Sequence, residues 1–555
     1  LADLSQKRTQ EILEVAQKDP NSMIGRAYAS YLDSTSVEAK GLAPIQPWLA
    51  KIRGIDKTGL PALLAEADRN GVRHFFGGYV GQDDKNPDVY IYTMFQGGIG
   101  MPDRDFYLKE TDRNAKLQAA YLKHLENVLT LAGEQNAAAR AKAIYAFEKQ
   151  IATVHWDKND SSDATKTYNK MTLAELQKAA PGVDWAAWAA SVGLAAAPAF
   201  NVNQPPAIAG IAKLVASQPV DVWKDYLTVH TISAAAPYLS KAFVDAQFTM
   251  YGKVLSGTPE NKERWKRGVD GVTGAMGEAV GKLYVEKYFT PATKAAADQL
   301  VKNLLVAMGQ RLDGLTWMSA ETKAKAKAKL ATYNPKIGYP KVWRDYGKLE
   351  VKAGDPVGNA ARAAAFEYDR NLAHLGQPID RDEWGMTPMT VNAYYNPGLN
   401  EIVFPAAILQ PPFFDANADA AVNYGGIGAV IGHEISHGFD DQGAQYDAKG
   451  ALNNWWTPDD SAKFKTATNL LVAQYSAYCP VPAADGKPAL CVKGELTLGE
   501  NIADLAGLTV AYSAYQLSLG GKPAPMIDGM SGDQRFFLGW AQVWRRLYRD
   551  QEFAN

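Results

Sequence analysis

Residues 433–437 read His433-Glu434-Ile435-Ser436-His437. On an α-helix, positions i and i+4 lie on one face about one turn apart, so two imidazoles at this spacing can hold one zinc ion. A glutamate directly after the first histidine can reach a water at that metal. The apolar residues and glycines that precede the motif favour a buried, closely packed helix. The alternative is a surface helix with two histidines, one of them paired with a neighbouring acid.

A catalytic zinc site needs a third protein ligand, and Glu500 and Asp504 offer two carboxylates at i, i+4. They open an apolar, helix-like stretch that continues to Leu517. One carboxylate can complete a His2Glu site and leave the fourth position for water. The other can accept the outer N–H of His433 and so fix its tautomer.

Two further features flank these groups. Asp440 lies three residues after His437, within reach of the free N–H of that ring if the helix runs a little further. Thr497-x-x-Glu500 also fits a capping box that starts a helix, and this is the structural alternative for Glu500. Beside the paired histidines, the sequence favours Glu500 as a ligand.

Motifs spread over nearly the whole chain resemble those of the neprilysin-like (M13) zinc metallopeptidases. They include the segments Gly97-Gly98-Ile99-Gly100-Met101-Pro102-Asp103-Arg104-Asp105, Val391-Asn392-Ala393-Tyr394-Tyr395, Asn423-Tyr424-Gly425-Gly426-Ile427-Gly428, Gly499-Glu500-Asn501-Ile502-Ala503-Asp504 and Ala541-Gln542-Val543-Trp544. The resemblance implies one zinc ion per chain, held by His433, His437 and Glu500. It implies that Glu434 is the general base, that Asp440 orients His437 and that Asp504 orients His433.

The resemblance also implies how a peptide is held. Asn392 and the backbone of Ala393 would pair with the substrate as an added strand. The pocket for the side chain after the scissile bond would prefer hydrophobic groups, and its lining would be Ile408, Phe413, Val430, Val543 and Trp544. For each of these apolar residues, a place in the core is the alternative. The expected function is a zinc-dependent endopeptidase that hydrolyses short peptides.

The sequence departs from the family in one respect that bears on activity. Family members carry a histidine and an arginine beyond the Ala-Gln-Val-Trp motif, and no histidine follows His437 here. The alternative function is therefore a metal-loaded, catalytically impaired form that binds peptides. We expect the sequence to be a trimmed, processed or incompletely visible form of a longer protein. An aminopeptidase is a third possibility, but a Gly-x-Met-Glu-Asn motif that would hold a free amino terminus is not present.

Composition excludes several classes of partner. The chain has 58 basic and 60 acidic residues, for a net charge of −2, which gives no reason to expect nucleic acid or an anionic membrane as a partner. We find no apolar run long enough for a transmembrane helix, and we expect a monomer. Lys323, Lys325, Lys327 and Lys329 form the strongest basic cluster, which we interpret as the solvated face of a helix that follows Ser319.

The two cysteines, Cys479 and Cys491, flank a loop rich in turn-forming residues. A disulfide that closes this loop would stabilise the fold by roughly 2–3 kcal/mol in the loop-entropy model. Together with the resemblance to exported peptidases, it predicts a periplasmic or secreted enzyme. Two free thiols in a cytosolic enzyme are the alternative.

The organisation of the chain is predominantly helical with a small β component. Helical patterns begin with Leu4 to Val15, strand patterns occur at Val89 to Phe95 and Ile402 to Pro405, and a Pro/Ala-rich interval over 195–212 predicts a connection. The family resemblance implies two lobes around a central cavity, one thermolysin-like and one all-helical. We expect residues 1–375 to contain the helical lobe and connecting segments, and residues 376–555 to form the zinc-binding catalytic lobe.

Overall fold

The computed structural model describes residues 1–483 and 489–549, and most of them lie in helices. The helices in the first half of the chain are α1 (Ala2–Ala16), α2 (Met23–Leu32), α3 (Ser34–Lys40), α4 (Gln46–Gly54), α5 (Leu60–Arg69), α6 (Asp105–Leu108), α7 (Asp112–Leu131), α8 (Ala137–Val154), α9 (Lys158–Ser162), α10 (Ala164–Thr167), α11 (Leu173–Ala179), α12 (Trp185–Ser191), α13 (Pro205–Ser217), α14 (Val220–Ala235) and α15 (Lys241–Gln247). A π-helical segment, Phe248–Leu255, continues α15.

The second half of the chain contains fewer and longer helices. They are α16 (Arg264–Tyr288), α17 (Pro291–Asp313), α18 (Ala320–Ala331), α19 (Pro356–Leu372), α20 (Ala420–Asn423), α21 (Ala429–His437), α22 (Pro458–Ser476), α23 (Leu498–Ser518) and α24 (Gly532–Val543). The prediction of a predominantly helical chain is confirmed.

Two small sheets accompany the helices. The first has the order β1 (Phe76–Asp83), β2 (Asn86–Gln96), β4 (Phe200–Val202), β3 (Lys170–Met171), and only its β2–β4 pair is parallel. The second has the order β5 (Asn334–Gly338), β7 (Glu401–Pro405), β6 (Tyr394–Asn396), with β5 and β7 parallel. The strands expected from Val89 to Phe95 and from Ile402 to Pro405 are therefore confirmed.

The prediction that residues 195–212 form a connection is wrong. This interval contains β4 and the start of α13. Pro205 and Pro206 occupy the first turn of α13, where a residue without an N–H leaves no hydrogen bond unmade and where a φ near −65° already suits the helix. The prolines thus start this helix and do not interrupt it.

The apolar side chains form two large clusters. One extends from Ile45 to Leu255 and contains the four-stranded sheet, so the lobe that we expected to be all-helical also carries strands. The other joins side chains between Ile12 and Tyr28 to side chains between Val269 and Phe536. The boundary between the two lobes expected at residue 375 remains a prediction. The two apolar clusters divide the chain at other positions, near Ile45 and after Leu255.

Candidate metal centre

The zinc-site helix is the last part of a longer helical run. It begins as α20, continues through a π-helical turn at Tyr424–Gly428 and ends as α21 at His437. A Cβ at Gly425 would lie 1.9 Å from the carbonyl oxygen of Phe536, so only glycine lets α24 approach so closely. The expectation that these glycines permit close packing is confirmed.

His433 and His437 face each other on this helix. Their Nε2 atoms lie 2.9 Å apart. The Nδ1 atom of His433 lies 2.8 Å from Oδ1 of Asp504, and that of His437 lies 2.7 Å from Oδ2 of Asp440. An ionised carboxylate can only accept, so Nδ1 is the donor in both rings, and in the neutral form of each imidazole Nε2 keeps its lone pair.

The carboxylate of Glu500 lies beside both histidines. Its oxygens are 3.2 Å from Nε2 of His433 and 3.7 Å from Nε2 of His437. Thr497 makes no side-chain hydrogen bond that caps α23, and its hydroxyl instead accepts from Asn501. The capping-box alternative for Glu500 is therefore wrong.

Asp440 is held by the loop that follows the helix. Its Oδ1 accepts hydrogen bonds from the backbone N–H groups of Gln442 (2.9 Å) and Gly443 (2.6 Å), while Oδ2 faces His437. The carboxylate is buried, with only 4% of the residue exposed. Its orientation is thus set by the backbone of this loop and not by the side chain alone.

Burial and ion pairing shift the pKa values of these groups in opposite directions. Burial lowers the pKa of His433, but hydrogen bonds to Asp504 and Glu500 outweigh burial and raise it to about 10. Burial raises the pKa of Glu434 to about 7, against the attraction of both histidines. The hydrogen bond to His433 lowers the pKa of Glu500.

The donor atoms fit a zinc ion. Two Nε2 lone pairs at 2.9 Å cannot hydrogen-bond to each other without a proton, and a cation between them would satisfy both. A third donor, the Glu500 carboxylate, lies next to them, and both outer nitrogens are already bound to carboxylates as is usual for metal-bound histidines. The Glu434 carboxylate and the two histidines have ligand atoms within 4.8 Å of one another.

Two cavities adjoin these residues. A cavity of about 1100 Å³ is lined by His437 and Glu500 on one side and by residues of α9 and α10 on the other. A second cavity, of about 520 Å³, is lined by His433, Glu434, His437, Glu500, Asn392 and Ala393. The structure therefore places the expected peptide clamp, Asn392 and Ala393, in the same cavity as the histidines.

The expected hydrophobic pocket is less well defined. Ile408, Phe413 and Val430 belong to the apolar cluster around the zinc-site helix. Val543 is the last residue of α24, and Trp544 is 47% exposed. The assignment of these five residues to a substrate pocket remains a prediction.

The burial of Lys329 was not predicted from the sequence. The solvated face predicted for the basic cluster is right for Lys325 and Lys327, but Lys329 is fully buried. It shares the inner face of α18 with Thr322 and Ala326, at i, i+4 and i+7, and this spacing was the available signal. Its Nζ contacts the loop that carries Asp440.

Cys479 and Cys491 form a disulfide. The expectation of a disulfide is confirmed, and the alternative of two free thiols is not found. Among residues 1–483 and 489–549, no helix combines the length and the apolar character that a membrane crossing requires.

Sequence comparison relates most of the chain to known peptidases. Two profiles described as peptidase family M13 match residues 1–340 and 392–555. The endothelin-converting enzyme homolog of Locusta migratoria is 34% identical over 94% of this chain and 75% of that protein. Endothelin-converting enzyme 1 of Homo sapiens is 32% identical over 93% of this chain and 69% of that protein.

Structure comparison agrees with the sequence. The zinc metalloprotease Zmp1 of Mycobacterium tuberculosis, in complex with an inhibitor, is 45% identical with a TM-score of 0.95, over 99% of this chain and 85% of that chain. PepO from Lactobacillus rhamnosis HN001 is 28% identical with a TM-score of 0.84, over 100% of this chain and 86% of that chain. The fold and these likenesses define a zinc metalloendopeptidase. More particularly, the chain belongs to peptidase family M13.

Proposed function

We propose that this enzyme hydrolyses short peptides at a single zinc ion held by His433, His437 and Glu500. The observation that carries the proposal is the pair of Nε2 atoms 2.9 Å apart, each ring being hydrogen-bonded to a carboxylate through Nδ1. When bound, zinc lowers the pKa of a coordinated water and polarises a carbonyl oxygen. Asp440 and Asp504 hold the two imidazoles in the orientation and tautomer that a metal requires.

Glu434 is the proposed general base. Its carboxylate takes a proton from the water that attacks the scissile carbonyl carbon. As the C–N bond breaks, the same group returns that proton to the leaving amine nitrogen. The location of Glu434 supports this role, because the side chain is buried, has a carboxylate oxygen within 4.8 Å of a ring nitrogen of each histidine, and lines the cavity of about 520 Å³.

The peptide is held by backbone pairing in our proposal. Asn392 is exposed, and it lines the same cavity as Glu434 together with Ala393. An extended peptide that pairs here as an added strand is recognised with limited dependence on its sequence. Selectivity would come from a hydrophobic side chain after the scissile bond, which Ile408, Phe413, Val430, Val543 and Trp544 would accommodate.

We further propose a periplasmic or secreted location and a monomeric enzyme. The disulfide between Cys479 and Cys491 supports an oxidising compartment. One chain contains all the proposed zinc ligands and the proposed base, so the reaction needs no second subunit.

The test compares wild type, Glu434→Gln and the control Glu263→Gln, whose side chain is 66% exposed. Zinc per chain is measured by elemental analysis, and cleavage of a peptide blocked at its N-terminus is followed by mass spectrometry. We expect about one zinc in all three proteins, with cleavage reduced about 10²–10⁴-fold only in Glu434→Gln. Peptides with Leu and with Asp after the scissile bond test the proposed preference.

Two results would contradict the proposal. A folded wild-type protein that binds no zinc would remove its basis. A zinc-loaded wild type that binds the peptide without cleaving it would instead establish the peptide-binding form as the function.

A further inference from the structure

Lys329 is a fully buried lysine whose ammonium group has three main-chain partners. Its Nζ donates to the carbonyl oxygens of Gly438 (2.6 Å), Gly443 (2.7 Å) and Tyr446 (2.7 Å). An ammonium group has three N–H donors, whereas a neutral amine has two. The three acceptors therefore match the protonated side chain, and each of its donors is used.

These three carbonyls belong to one loop, residues 438–446, which follows the zinc-site helix. The same loop carries Asp440 and fixes its carboxylate through the backbone N–H groups of Gln442 and Gly443. Gly443 thus donates its N–H to Asp440 and offers its carbonyl to Lys329. The position of Asp440 depends on a loop whose carbonyls are gathered around Lys329.

The groups around Lys329 interact with the positive charge of its ammonium group. Asp440 and Asp447 contribute negative charge near it, and the ring centroids of Phe439 and Trp455 lie 5.7 and 6.0 Å from Nζ. Burial lowers the pKa of Lys329 to about 7, and both carboxylates oppose this effect. The three carbonyl oxygens also favour the protonated form.

We infer that Lys329 is a positioning residue for the metal centre: it holds the loop 438–446 in the conformation that directs Asp440 onto His437. This inference rests on the proposed zinc site. Within the described residues, Lys329 forms no hydrogen bond to His437; it acts through Asp440, which lies 2.7 Å from Nδ1 of that ring. Losing a group that orients a metal-bound histidine typically weakens metal binding about 10- to 100-fold.

The experiment is a double-mutant cycle on the full chain with zinc release as the readout. Wild type, Lys329→Met, Asp440→Ala and the double variant are loaded with zinc, and transfer of zinc to a chromogenic chelator is timed at pH 7. We expect release about 10- to 100-fold faster in Lys329→Met. In the Asp440→Ala background, adding Lys329→Met should change the rate less than about twofold, because the contact through which it acts is already lost.

A control separates positioning from general loss of stability. Leu125 is fully buried in the apolar cluster that extends from Ile45 to Leu255. Leu125→Ala therefore destabilises the protein without changing a contact of the loop 438–446. Its zinc release should match that of wild type. If Lys329→Met does not fold, Lys329→Gln removes the charge and one donor, and it is tested in the same cycle.

The outcomes distinguish this inference from the proposed function. A wild type without zinc overturns both. Zinc-loaded wild type and Lys329→Met with equal release rates overturn the role of Lys329 and leave the zinc site intact. If Lys329→Met accelerates zinc release equally in the presence and absence of Asp440, Lys329 acts only through the stability of the fold. Zinc release from Leu125→Ala that is faster than from wild type would lead to the same conclusion.

Discussion

Gly432 and Gly507 meet backbone to backbone where α21 crosses α23. A Cβ at Gly432 would lie 2.4 Å from the carbonyl oxygen of Gly507, and a Cβ at Gly507 would lie 2.4 Å from the backbone nitrogen of His433. This contact brings α23 close enough for Glu500 and Asp504 to reach the histidines of α21.

Gly507→Ala should therefore force the two helices apart. The added methyl group meets main-chain atoms, which cannot move aside as a side chain can, and overpacking of this kind costs about 1–3 kcal/mol of unfolding free energy. Zinc binding should weaken as well. The control is Gly309→Ala in α17, where the new Cβ makes only an ordinary contact of 3.7 Å. Chemical denaturation should show no loss of unfolding free energy for the control. A denaturation midpoint equal to that of wild type for Gly507→Ala would refute the steric clash.

Asp504→Ala should weaken zinc binding about 10- to 100-fold, because the outer nitrogen of His433 loses its acceptor. The side chain of Asp504 is 51% exposed, so the fold should tolerate the change. Competition with a chelator measures the zinc dissociation constant. Asp221→Ala, at a carboxylate that is 85% exposed on α14, is the control and should bind zinc as wild type does. Equal affinity in both variants would mean that Asp504 does not orient the ring.

Asp460 makes stability depend on pH. Hydrogen bonds from Ser319, Thr322 and Thr457 hold the pKa of this buried carboxyl below its ordinary value of 3.8. A carboxyl with a lowered folded pKa contributes stability in full above about pH 4, and this contribution is lost as the pH falls through the folded pKa. Asp460→Asn should thus be less stable than wild type at pH 7, and the difference should narrow towards pH 2. Urea denaturation at both pH values checks this; a constant difference would contradict it.

Tyr333 supports the last turn of the zinc-site helix. Its hydroxyl donates to the carbonyl oxygen of Ile435 at 2.7 Å. Tyr333→Phe should lower the free energy of unfolding by about 0.5–1.5 kcal/mol. Tyr28→Phe is the matched control, because the Tyr28 hydroxyl is buried and has no hydrogen-bond partner among the described residues. Thermal unfolding should show a loss only for Tyr333→Phe; similar values for the two variants would rule out this hydrogen bond as a source of stability.

Much of the site could be predicted because its chemistry is local in the sequence. Helical spacing alone places His433 and His437 on one face, and the same rule pairs Glu500 with Asp504. The predicted strand at Val89 to Phe95 also follows from a local pattern, and β2 includes it. Prediction failed where a local pattern has two structural outcomes. Prolines at 205 and 206 can interrupt a chain or start a helix, and α13 begins with them.

The sequence by itself determined the kind of chemistry: two histidines, a neighbouring glutamate and two further carboxylates at helical spacings. Only the tertiary structure decided which of these groups meet, because the close approach of Gly432 to Gly507 spans 75 residues of chain. It also decided that Lys329 is buried while Lys325 and Lys327 face solvent. A lysine has the same side chain in both settings, and only the carbonyls of a distant loop make burial of its charge favourable.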